Sequence, residues 1–325
     1  MLFKSLLYVF FLIGASLFVL WLAIARPAIT TSAALKSEIT PNPAALRRYV
    51  EIISQGFAPR DVGHPENLAK LADYLAGEFR SFGARVSYQE FAVEHLNYKN
   101  VLAEYGPETA DVVVIGAHYD TAGDQPGADD NASGVAGLLE LGRLLGQTKL
   151  TTKVVLAAYT LEEPPLFGTD SMGSAVHAKS LWTNRASVKL MISLEMIGYF
   201  SDRKSSQGFP FSLLKLFYPS AGNFIIVVDQ VFSNQARRLK RRMSSASDLP
   251  VYSINAPAWV SGVDFSDHVN FWQRDYPAVM VTDTSFYRND AYHSRRDTAE
   301  RLDYFKMAEV VGGVFAYVAQ PEGTH

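Results

Sequence analysis

Residues 111–145 read DVVVIGAHYDTAGDQPGADDNASGVAGLLELGRLL. The run at 112–117 has no polar side chain, as expected of a strand buried on both faces of a parallel sheet. From Asn131 to Leu145 the apolar spacing is helical, and Asn131-Ala132-Ser133-Gly134 supplies capping residues. Between strand and helix lie His118, Asp120, Asp129 and Asp130. A strand, a polar loop and a helix in this order form half of an α/β crossover, with its polar residues at the carboxyl end of the strand.

The same alternation continues outward. Strand-like runs fall at 85–91, 100–105, 153–159, 188–194, 223–228, 251–255 and 278–282. Helical periodicity falls at 44–55, 66–82, near 170–180, 233–245 and 303–319. This order predicts an α/β sandwich around a largely parallel sheet, in one domain over about 44–320. The stretch 201–222 is rich in Pro, Gly and Ser and reads as a long surface excursion near one sheet edge.

The 325 residues carry a net charge of -3 and no cysteine. A mildly acidic body gives no electrostatic footprint for nucleic acid. Without cysteine, disulfide scaffolds, thiol nucleophiles and thiolate metal sites are excluded, so any metal site must use His and carboxylates. Residues 6–25, LLYVFFLIGASLFVLWLAIA, hold no charge over twenty positions, enough to cross the roughly 30 Å hydrocarbon layer. Residues 1–26 are therefore read as a membrane anchor, with a cleaved secretory signal as the alternative, since Ala23-Ile24-Ala25 resembles a cleavage site. Both readings put the body outside the cytoplasm. Residues 27–43 look like a linker.

Polar residues collect where strands end. Strand 111–117 runs into His118-Tyr119-Asp120, strand 153–159 into Glu162-Glu163, strand 188–194 into Glu195, and strand 278–282 leads on to Tyr292-His293. Asp129-Asp130-Asn131 opens the helix at 131. If neighbouring strands are parallel, these segments converge on one rim. Two imidazoles and several carboxylates on separate loops suit a pair of divalent metals bridged by one carboxylate. Asp120 is placed to accept the other imidazole N–H of His118. Of Glu162 and Glu163, one can bind metal while the other holds a proton. Glu195 sits inside an apolar run, where a carboxylate needs a partner or a metal.

The segments Ala117-His118-Tyr119-Asp120-Thr121, Pro126 to Gly134, Leu161-Glu162-Glu163-Pro164, Leu194 to Gly198 and Tyr292 to Thr298 resemble, in this order, the zinc peptidase family M28, the co-catalytic aminopeptidases and glutaminyl cyclases. The resemblance spans roughly 45–320. It implies a three-layer, phosphorylase/hydrolase-like α/β/α fold with a mixed, mostly parallel sheet of about eight strands. It also implies two Zn2+ ions: His118 and Glu195 on one, Glu163 and His293 on the other, with Asp130 bridging. Glu162 would be the general base and Asp120 would orient His118. Many family aminopeptidases carry Asp where Glu195 stands. The cyclases place Trp directly before the last His, where this chain has Tyr292, which counts against cyclisation. Tyr292 could instead donate to the developing oxyanion.

The expected activity is therefore metallo-exopeptidase, an aminopeptidase acting on peptides, tethered outside the cytoplasm. Glutaminyl-peptide cyclase, carboxypeptidase-type cleavage and a non-catalytic binding ectodomain are the alternatives. Ser266-Asp267-His268 matches a further family segment, with Asp267 beside the pocket and not a ligand. His64, His95 and His177 read as structural or exposed. Phe271, Trp272, Phe286 and Tyr287 are candidates for a pocket wall that prefers apolar side chains.

Overall fold

The computed structural model describes residues 2–25 and 39–319, so most of the predicted linker lies outside the described residues. Helix α1 (Leu2–Ala25) precedes the body. Next come α2 (Pro43–Glu51), α3 (Pro65–Ser81), β1 (Arg85–Val93), β2 (Leu96–Tyr105) and β3 (Asp111–His118). They are followed by α4 (Gly134–Gly146), β4 (Lys153–Tyr159), α5 (Gly173–Thr183) and β5 (Ser187–Glu195). The chain ends with β6 (Ile225–Asp229), α6 (Gln235–Ala246), β7 (Val251–Asn255), α7 (His268–Trp272), β8 (Ala278–Thr282) and α8 (Tyr304–Ala319).

The eight strands form one mixed sheet in the order β1-β2-β4-β3-β5-β8-β6-β7. β4, β3, β5 and β8 run parallel, so their carboxyl ends share one rim. β6 and β7 are parallel to each other and antiparallel to β8. Side chains of β3 alternate between the two faces: Val113, Ile115 and Ala117 join the core under α2, α3, α4, α6 and α8. Val112 and Val114 join Ala178 of α5 and Phe271 of α7 on the other face. Burial on both faces is why the run reads as continuously apolar.

One expectation is refined here and one is corrected. Segment 201–222 runs over the surface as read, with residues 202–205, 211–213, 215, 216 and 220 exposed, but it also packs inward. Leu214, Phe217 and Tyr218 pack on Phe224, Ile226, Val228 and Met280, and so roof the second face of the sheet beneath β6 and β8. Phe271 is buried against Val114 and Tyr159, and Trp272 packs beside it, so neither belongs to a pocket wall. His268 is buried, and its Nε2–H donates to the Val263 carbonyl at 2.9 Å.

Arg60 anchors the rim from below. It is fully buried. Its guanidinium donates to the carbonyls of Tyr119 (2.9 Å), Ile53 (3.1 Å), Pro126 (2.7 Å) and Gly127 (3.1 Å). Burial lowers its pKa to about 10, against the pull of Asp120, Asp297 and Asp130. One side chain thus ties the segment between α2 and α3 to the loop after β3. Arg60→Met should leave four buried carbonyls without their donors and cost about 3–5 kcal/mol. Urea denaturation measures this; an unchanged midpoint would show that the tie is dispensable.

Candidate metal centre

The rim is built from four loops that leave parallel strands. β3 ends on His118. Gly127, at φ +56, turns the following loop so that an added Cβ would sit 2.3 Å from the Asp130 carbonyl. That turn brings Asp130 back over the strand end. Asp297 holds it there, accepting from the backbone N–H of Asp129 (3.0 Å) and Asp130 (3.0 Å). Asn131 caps α4 by accepting from Gly134 N–H at 3.0 Å, and the same Oδ1 accepts from Met196 N–H at 3.1 Å. Asp129 accepts from Gly198 N–H at 3.0 Å and Asn289 Nδ2 at 2.8 Å. These bonds fix the loops after β3, β5 and β8 against one another.

The five expected ligand residues meet. His118 Nε2 lies 3.4 Å from Asp130 Oδ1 and 3.5 Å from Glu195 Oε2. His293 Nε2 lies 3.1 Å from Asp130 Oδ2 and 3.2 Å from Glu163 Oε2. The two oxygens of Asp130 therefore face different imidazoles. Each trio, His118–Asp130–Glu195 and Asp130–Glu163–His293, offers donor atoms all within 4.8 Å of one another. All are buried except His293, whose side chain is 30% exposed. Glu162 stands beside them, its Oε2 3.8 Å from His118 Nε2.

Among the described residues, Asp130 Oδ2 and Glu163 Oε1 are buried without a hydrogen-bond partner. Lone pairs left free of N–H donors in a buried site are what a cation needs, and imidazole with carboxylate oxygen is a zinc donor set. The residues present therefore fit zinc. His118 Nδ1 lies 3.5 Å from Asp120 Oδ1, and the other oxygen of Asp120 accepts from Glu163 N–H at 3.0 Å. Ser266 Oγ donates to Glu195 Oε2 at 2.8 Å and lies 2.7 Å from Ser193 Oγ. Asp267 is buried close by.

The electrostatics follow from burial. Burial, with repulsion from Glu195 and Glu163, pushes the Glu162 carboxyl well above the usual range, against the pull of His118. Burial and Asp130 push Glu163 up to about 7, opposed by His293. Asp267, Asp283 and Asp297 also rise to about 7, each chiefly through burial. Burial disfavours charge on His293, yet bonds to Asp130 and Glu163 lift it to about 10. Asp130 moves below the usual carboxylate range: burial opposes this, and the two imidazoles outweigh it. The site is an excess of negative charge held away from water.

A cavity of about 240 Å³ opens from this rim along the second face of the sheet. Glu162, Glu195, Tyr292 and His293 line it from the rim, together with Phe209, Leu214, Ile226, Val228, Phe265 and Met280. Phe286 and Tyr287 line it as expected. The ring of Tyr292 stacks on His293 with centroids 3.8 Å apart. His177 lies elsewhere, buried beside the Tyr159 hydroxyl at 2.8 Å, while His95 is exposed. Sequence reading missed Arg60, Asp283, Asn289 and the role of Ser266. Only the doublet Asp129-Asp130 carried a signal, since one carboxylate of an adjacent pair must face away from the other.

The protein-family model described as Peptidase family M28 matches residues 100–318. The Escherichia coli (strain K12) protein YfbL is 50% identical over 282 residues, covering 84% of this chain and 86% of that protein. Leucine aminopeptidase 1 of Trichophyton rubrum is 27% identical over 254 residues, covering 74% of this chain but 61% of the fungal protein. The fold matches a zinc aminopeptidase from Bacillus subtilis with a TM-score of 0.67 at 14% identity, over 86% of this chain and 95% of that one. It also matches a Fimbriiglobus ruber glutaminyl cyclase, with a TM-score of 0.65 at 18% identity, over 89% and 99%. By sequence and by fold, the chain belongs to peptidase family M28.

Proposed function

We propose that this chain is a two-zinc aminopeptidase whose catalytic domain, 44–320, follows an N-terminal anchor (1–26) and linker (27–43). The observation that carries the reading is Asp130, with one oxygen toward His118 and the other toward His293. In it His118 and Glu195 would hold one ion and Glu163 and His293 the other, with Asp130 offering an oxygen to each. Bound zinc supplies a Lewis acid and lowers the pKa of water at the site. Glu162, adjacent to the donors but in neither trio around Asp130, takes the proton of the attacking water on its carboxylate and returns it to the leaving amine. Asp120 orients His118 through Nδ1. The hydroxyl of Tyr292, fixed by the stacked ring, donates to the oxyanion that forms on the carbonyl. The apolar cavity receives the N-terminal side chain. Helix α1 is long and apolar enough to cross a membrane, with mean hydropathy 2.5 over Leu6–Ala23. It anchors the domain outside the cytoplasm.

Three measurements test this reading. Glu162→Gln should keep its zinc and lower kcat about 10²–10⁴-fold on Leu-p-nitroanilide; a near-normal kcat would remove Glu162 from the proton transfer. Leu- and Phe-anilides should exceed Asp-anilide in kcat/KM by about 10²-fold, because an apolar cavity strips a carboxylate of water without pairing it. Faster cyclisation of an N-terminal Gln peptide than hydrolysis of these anilides would favour the cyclase reading instead. The third measurement is the pH dependence of the chelated protein. Glu163, Asp267, Asp283 and Asp297 have folded pKa values near 7, above the unfolded value of about 4. Between those values the folded state holds protons that the unfolded chain has lost, so stability falls as pH rises. His293, raised to about 10, adds stability that is full below about 6.5 and lost toward 10, the same direction. The chelated protein should melt higher at pH 5 than at pH 7.5, and zinc should raise the melting temperature more at pH 7.5. A melting temperature that climbs with pH without zinc would contradict this account.

A further inference from the structure

We infer that one corner of the body lies in the lipid bilayer interface beside α1. The corner consists of the 3-10 helix Ser212–Leu216, Phe232 and Trp259. The inference rests on α1 crossing a membrane and is independent of the peptidase chemistry. Residues 6–20 of α1 are exposed along their length, so this stretch projects from the body, and the contacts of the described side chains with the body lie at Phe18 and Trp21. There the Trp21 indole N–H donates to the Asn255 carbonyl at 2.6 Å. Phe217 packs against Phe18 and Trp21, at ring distances of 6.0 and 6.2 Å. A Trp at the end of an apolar span is placed as membrane-interface aromatics are.

The residues around that contact are apolar and exposed. Leu216 is 75% exposed, Phe232 79% and Trp259 78%, with Phe211 and Leu213 exposed beside Leu216. They are tied to the α1 contact by hydrogen bonds. Asn255 Nδ2 donates to the carbonyls of Gln230 and Ser233, on either side of Phe232. The Tyr218 hydroxyl donates to the Ser253 carbonyl, binding the 212–218 segment to β7. Trp259 follows four residues after Asn255. Scattered exposed apolar residues need no explanation, but several large ones gathered at the foot of an apolar helix do. Helix α6 begins three residues beyond Phe232 and carries Arg237, Arg238, Lys240, Arg241 and Arg242, with Arg238 and Arg241 exposed. Basic side chains flanking an apolar surface match anionic headgroups. A bilayer supplies both the apolar layer and the negative charge at the level set by α1.

The absence of cysteine makes the test direct. Single variants S16C, L216C, F232C, W259C and D170C of the full chain are labelled with an environment-sensitive nitrobenzoxadiazole. Each is reconstituted in phosphatidylcholine–phosphatidylglycerol vesicles, and its melting temperature confirms folding. Asp170 is exposed on the loop after β4, at the metal rim. Labels at 16, 216, 232 and 259 should be quenched several-fold more by doxyl lipids than the label at 170, which iodide should reach best. Patch labels as open to iodide as position 170, with position 16 in lipid, overturn docking. Patch labels shielded from both quenchers mean that a second copy covers the face, which also overturns it. A label at 16 that iodide reaches shows α1 outside the bilayer, and the inference fails with the membrane reading; none of these outcomes touches the aminopeptidase assays.

Discussion

Buried negative charge at one end of a sheet is the constraint on which the rest of this structure depends. Asp120, Asp129, Asp130, Glu162, Glu163, Glu195, Asp267, Asp283 and Asp297 are all buried at the same rim. Carboxylates are rarely fully buried unless paired or bound to metal. The protein's own positive charge there is small: Arg60 and Arg288, both lowered to about 10 by burial, and two imidazoles. Part of the load is carried by backbone. Asp297, Asp129 and Asp283 each accept N–H groups of neighbouring loops. Of the oxygens left over, Asp130 Oδ2 faces the His293 imidazole, and Glu163 Oε1 belongs to the carboxylate whose other oxygen faces it. A divalent cation would answer the remaining charge, which makes folding of the rim and binding of metal one problem in electrostatics.

Parallel strands make that concentration possible. β4, β3, β5 and β8 each deliver a different loop to one rim, and none of those loops could hold a cation by itself. The antiparallel reversal at β6 ends the series. Beyond it the segments around 207–218, with the 3-10 helix Ser212–Leu216, and 256–265 cover the second face. The cavity is lined by residues of both segments, Phe209, Leu214 and Tyr218 from the first and Val260, Val263 and Phe265 from the second.

This division explains what the sequence discloses. The buried strands were legible because an apolar run of 111–117 that breaks abruptly into His118 and Asp120 is a local signal. Glu195 stood out for the same reason, as a carboxylate within Leu194–Ile197. Arg60 gave no signal: one arginine in Phe57-Ala58-Pro59-Arg60 has no periodicity, and its four carbonyl partners come from segments far apart in the chain. Asp283 and Asn289 are silent for a like reason, since their partners Tyr199 and Asp129 meet them only through the sheet. Composition also misled. Phe271 and Trp272 lie near the site in sequence and are aromatic, but α7 turns them into the core.

The segments that resisted reading carry two faces at once. Leu214 and Tyr218 line the cavity, while Leu213 and Leu216 from the same short stretch point to solvent. Ile254 and Val260 line it too, while Trp259 is exposed. A segment apolar on both faces has neither the two-residue alternation of a half-buried strand nor the single stripe of an amphipathic helix. Without a period it reads as a loop. The same double apolarity is what a wall needs when it separates a substrate cavity from a lipid surface. Under the docking proposed above, the irregularity of 209–218 follows from its position between the two.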